Sequence, residues 1–96
     1  MRSLVRMNFI AGTEEARAAL LPAEQAHVKK LMDQGVVETG YLAADASSAW
    51  MVLQGASEGH IHQTMTTLPF YPFVQLGSTP LRDIVPGGRA DPKPTA

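Results

Sequence analysis

Glu24 and His27 stand three residues apart in a stretch with helical periodicity, which puts a carboxylate and an imidazole on one helix face. A carboxylate-oriented imidazole is a natural general base for removing a proton next to a carbonyl. The plainer reading is a boundary histidine beside Val28 and Leu31 with no catalytic task. Arg6 and Asn8 alternate along an extended stretch and share one face. There they could hold a carboxylate or enolate oxygen, Arg6 through a two-point fork, or serve only as an edge or interface pair met by a glutamate or a backbone carbonyl. Tyr41 and Trp50 are candidate walls of an aromatic cavity, against ordinary core or interface packing. Phe73 and Gln75 on the last apolar stretch complete the expected substrate-binding set.

Other groups promise less. His60 and His62 lie two apart on a short helix and point different ways, whereas paired helical ligands need a spacing of three or four. No third ligand clusters with them, so the expectation is no metal. Ser47 and Ser48 have no base and orienter in evident reach, which leaves a serine nucleophile unsupported.

The elements that must position these residues read in order along the chain. A first strand, Leu4 to Ile10, puts Val5, Met7 and Phe9 toward a core and Leu4, Arg6, Asn8 and Ile10 on the opposite face. Thr13 is a candidate N-cap for the alanine-rich segment behind it. Pro22 either kinks one helix or starts a second, and Gly35 is a natural stop. Val36 to Leu42 and Ala49 to Gln54 read as two strands joined by a small, polar hairpin loop. Ser57 caps a short helix carrying Ile61 and Met65, which ends at Leu68-Pro69. The stretch LPFYPFVQLGSTPL, Leu68 to Leu81, then gives a proline-clamped turn and a last strand from Phe73 to Thr79. Pro80 either ends that strand or confines it to a sheet edge.

Strand, helix, strand, strand, helix, strand is the α+β, ferredoxin-like βαββαβ order, an antiparallel sheet with two helices on one face. The other face is left bare, and an apolar patch of that kind usually marks an interface. A dimeric α+β barrel, closed by a second copy or by a higher homo-oligomer, is therefore expected, with a cavity between copies. The domain takes residues 1–85, and the Pro/Gly-rich residues 86–96 read as a flexible tail.

Composition limits the partners. Ninety-six residues at net charge −1 form one core with no basic footprint, so neither nucleic acid nor a membrane surface is expected. The absence of cysteine excludes disulfides and thiolate chemistry. The opening MRSLVRMNFI is interrupted by Arg6 and Asn8 and is too short for a signal sequence, which points to the cytoplasm.

LVRM in the first strand, the first helix ending in a glycine, His62 ahead of Leu68-Pro69, and LPFYPFVQLGSTPL together resemble the muconolactone isomerase family over about residues 4–84. The resemblance implies a small, cofactor-free, oligomeric domain associated with degradation of aromatic compounds. It also implies acidic residues on the last strand and a Trp/Arg-rich second strand. Here Gln75 and Gly77, and Val36-Val37-Glu38-Thr39, stand in those places. A weaker similarity to YciI-like proteins implies pairing of His27 with Asp45. The leading expectation is an isomerase that moves a proton on an acidic, aromatic-derived lactone or related metabolite. His27 or Glu24 would be the base, with Arg6 and Asn8 as anion binders. The competing one is a non-catalytic ligand-binding or oligomerisation module.

Overall fold

The computed structural model describes residues 1–85, and the expected tail at 86–96 lies outside the described residues. The order is β1 (Arg2–Phe9), α1 (Glu14–Asp33), β2 (Val37–Leu42), β3 (Ser48–Gln54), α2 (Glu58–Thr66) and β4 (Val74–Leu81). All strand pairs are antiparallel, and the sheet order is β2-β3-β1-β4. This is the expected α+β, ferredoxin-like arrangement.

Alternation along β1 buries Ser3, Val5 and Met7 on one face and leaves Arg6 and Asn8 exposed on the other. Val5 and Met7 join Met51 and Leu53 of β3, Leu31 of α1 and Ile61 and Met65 of α2 in one core. Both helices thus lie over one sheet face, held by burial of their apolar stripes. Ser57 caps α2 as expected, its Oγ accepting from the His60 N–H at 3.1 Å. Thr13 does not cap α1 with its side chain; its hydroxyl instead donates to the Ile10 carbonyl at 2.6 Å.

Pro22 resolves as an interior residue of one continuous helix. It is exposed, so the carbonyl that loses its N–H partner faces water, and packing of the opposite stripe holds the helix together. Gly35 ends α1 at φ +75°, where its N–H donates to Met32 O and the Val36 N–H to Leu31 O. Those bonds satisfy carbonyls that the last helical turn would otherwise leave open.

The last strand differs from expectation at both ends. Tyr71–Phe73 form a 3-10 turn, so β4 begins at Val74, and it runs through Pro80 to Leu81. Pro80 is tolerated because β4 is a sheet edge, where a missing N–H costs least. Gly77, opposite Arg6 in the register, has no atom within 4 Å of where a Cβ would stand.

Ser3 is fully buried, and its hydroxyl has no hydrogen-bond partner among the described residues. A desolvated hydroxyl without a partner is a penalty of roughly 1 kcal/mol or more. Ser3→Ala is therefore expected to leave stability unchanged or raise it. A clear drop in the thermal midpoint would mean that the hydroxyl has a partner after all.

Candidate active site

The carboxyl of Glu24 is the buried acid of the core, with only 6% of the residue exposed. It sits on the inner face of α1, where Val28 and Leu31 continue the same stripe one and two turns on. Its Oε1 accepts the Phe70 N–H at 3.0 Å, a bond between residues 46 apart in sequence. Burial pushes its pKa above the usual glutamate value, and the Phe70 bond only partly offsets this. Oε2 makes no hydrogen bond among the described residues. Glu24 borders a cavity of about 250 Å³ whose walls include Met7, Phe9, Val28, Met51 and Phe70. Tyr41 and Trp50 also border it. A carboxyl whose pKa is raised by burial beside an apolar cavity holds a proton more readily than an exposed glutamate does, which suits acid–base work.

His27 shares the helix face with Glu24 but does not meet it. Its Nε2 lies 2.7 Å from Thr67 Oγ1, and the Glu24 carboxylate is taken up by Phe70. The Thr67 hydroxyl already donates its one proton to Thr64 O at 2.6 Å, so Nε2 must be the donor to Thr67. The expected carboxylate-oriented imidazole is therefore not formed, and both side chains instead tie α1 to the segment that follows α2. Asp45 does not provide a substitute partner; its Oδ1 accepts from the Ser47 N–H at 3.0 Å and Oγ at 2.6 Å within the hairpin loop. Those two bonds hold its carboxyl below the ordinary aspartate range.

The remaining expected residues gather on the opposite sheet face. Arg6 pairs across strands with Trp50 on one side and Gly77 on the other, Asn8 with Gln75, and Trp50 with Tyr41. The Arg6 guanidinium lies 5.5 Å from the Trp50 ring centroid. Phe73 stands in the turn beyond this row, its carbonyl accepting the Ile10 N–H at 2.9 Å. Arg6, Asn8 and Gln75 thus form one continuous surface on the face opposite Glu24, and Trp50, which pairs with Arg6, also borders the Glu24 cavity.

One residue escaped the sequence reading. Arg17 stands seven positions before Glu24, two helical turns along the same face. Its guanidinium lies 4.4 Å from the Phe9 ring centroid, and its Nε donates to Thr13 Oγ1 at 3.0 Å. Arg17 borders a second cavity of about 220 Å³ that shares Phe9, Leu42 and Phe70 with the first. The seven-residue spacing on an amphipathic helix was the available signal.

The paired histidines of α2 bind other things. His60 Nδ1 accepts the Ala56 N–H at 3.1 Å, and the His62 ring meets Tyr71 edge to face at 6.2 Å. Among the described residues, no three His, Asp or Glu side chains gather as a metal site, and no helix is long and apolar enough to cross a membrane.

Among the solved structures that share the fold, two do so at low sequence identity. One is a muconolactone isomerase, 21% identical, with a TM-score of 0.74 over 95% of this chain and 98% of that one. The other is a 5-chloro-2-hydroxyhydroquinone dehydrochlorinase from Burkholderia phenoliruptrix in complex with 2,5-dihydroxybenzoquinone, 16% identical. It superposes with a TM-score of 0.72 over 85% of this chain and 94% of that one. No curated protein sequence gives a significant match. The family model described as muconolactone delta-isomerase matches residues 2–84, nearly the whole described chain, and the chain belongs to that family.

Proposed function

We propose that this chain is a cofactor-free isomerase-type domain that moves a proton on a small, acidic, ring-derived lactone, with Glu24 as the proton carrier. The observation that carries this reading is the buried Glu24 carboxyl, with a raised pKa, bordering an apolar cavity of small-molecule size. Phe70 N–H fixes one carboxylate oxygen and leaves Oε2 for the ligand. In the first step Oε2 takes a proton from the saturated ring carbon at the far end of the C=C–C=O system, and the C–H electron pair moves into a conjugated dienolate. In the second, the same carboxyl returns that proton to the carbon next to the carbonyl, the carbonyl re-forms with the double bond shifted, and Glu24 is ionised again. No electron acceptor or external acid is consumed.

A second copy is proposed to cover the open sheet face, where Arg6, Asn8, Phe73 and Gln75 would then line the interface. The polar Gln75 and the bare Gly77 on that face also suit the competing reading, a ligand-binding module without turnover. Incubation of the protein with muconolactone in D2O separates the two. Deuterium entering at the exchanging carbons, followed by proton NMR, is the expected result. A folded protein that neither exchanges nor converts the lactone would favour the non-catalytic module.

A further inference from the structure

We infer that Arg17 is an anion anchor at the outer end of the Glu24 groove, fitted to the carboxylate of a planar, unsaturated acid. This inference rests on the proposed reading of Glu24, because it places both groups in one continuous groove. Several observations carry it. Arg17 and Glu24 are about 10 Å apart along the helix axis and share a face. The cavities they border share the aromatic side chains of Phe9 and Phe70, whose rings meet edge to face at 6.1 Å. Stacking on Phe9 and the bond to Thr13 fix the guanidinium in place.

The fixed geometry also leaves donors to spare. Only Nε of Arg17 is engaged by a hydrogen bond, and no carboxylate forms an ion pair with it among the described residues. The outward Nη1 and Nη2 groups of a guanidinium bind a planar carboxylate with least loss of freedom when the side chain is already immobilised. The shared aromatic lining gives the flat part of such an acid a surface to pack on. Glu14 borders the same cavity, and its Oε1 lies 3.4 Å from the Gly12 N–H. Its charge opposes an anion there, so Glu14→Gln is expected to strengthen binding.

Benzoate is the probe, with neutral benzamide as its control, read by calorimetry and by the Arg17 Nε–H resonance. Benzoate is expected to shift that resonance and benzamide to leave it unmoved. Arg17→Gln is expected to weaken benzoate binding about tenfold or more, with Arg17→Lys between the two, because the lost bonds are charge-assisted. Glu24→Gln is expected to bind benzoate at least as well as the parent, since it removes a negative charge from the groove. An unmoved resonance in the parent protein, or equal benzoate affinity in parent and Arg17→Gln, overturns the anchor. Neither measurement involves turnover. If Glu24→Gln still exchanges lactone protons while these binding results hold, it is the proton-carrier role of Glu24 that fails, and the anchor stands.

Discussion

Glu24→Gln is expected to lower proton exchange on a lactone substrate by about 100-fold to 10,000-fold, the usual range for removal of a positioned acid–base group. The same replacement is expected to make the protein more stable at neutral pH. Glutamine keeps a carbonyl oxygen for the Phe70 N–H and nearly the same volume, but has no charge to desolvate. The sign follows from the raised pKa. Below about pH 4.5, the ordinary glutamate value, the carboxyl is protonated in both folded and unfolded chains, and burial carries no ionic penalty. As pH rises, the unfolded chain releases its proton first, so parent stability falls until the folded carboxyl also ionises. Urea unfolding near pH 4 and at neutrality should therefore show two variants of similar stability that diverge as pH rises, with Glu24→Gln ahead. Loss of activity with a parallel loss of stability would mean that Glu24 is a strut for Phe70 and nothing more. Gain of stability with loss of function is the pattern of a residue kept for chemistry.

Leu53→Ala should have the largest effect on the fold, a loss of about 2–5 kcal/mol. Leu53 is fully buried on β3, with Val37 of β2 opposite it on one side and Ser3 of β1 on the other. Truncation removes apolar contact and leaves a void between sheet and helices that a close-packed interior cannot easily fill. Chemical denaturation checks this; a cost below about 1 kcal/mol would show that α2 can settle into the space. The neighbouring Val52 points to the open face, half-buried, and its truncation in one chain should cost far less.

What could be read from the residues and what could not divides along contact range. The β1 alternation, the Ser57 cap, the Gly35 stop and the strand–helix order are local, and each is set within a few residues. The fate of Pro22 depended on which side of the helix packs, and that is decided by tertiary burial. The Glu24–His27 pairing failed for the same reason. A three-residue spacing fixes a common face but not a partner, and the partners lie 46 and 40 residues away. Arg17 was missed because its role depends on Phe9, which reaches it only when β1 and α1 pack together. The start of β4 shifted because Phe70 O accepts the Phe73 N–H at 2.8 Å, which closes a turn where alternation suggested a strand.

Gly77 gives the open face an evolutionary opening. Aspartate lies one base change from glycine in the genetic code, and a Cβ at this position meets nothing. Such a carboxylate would stand directly across the ladder from Arg6, at the separation where opposite charges on neighbouring strands attract. It would compete with Trp50 for the guanidinium and could redraw the charge of the whole surface while leaving the Glu24 carboxyl and its Phe70 bond untouched. The sheet thus isolates two selectable traits from each other: descendants could change what their outer face recognises without disturbing what the inner face does.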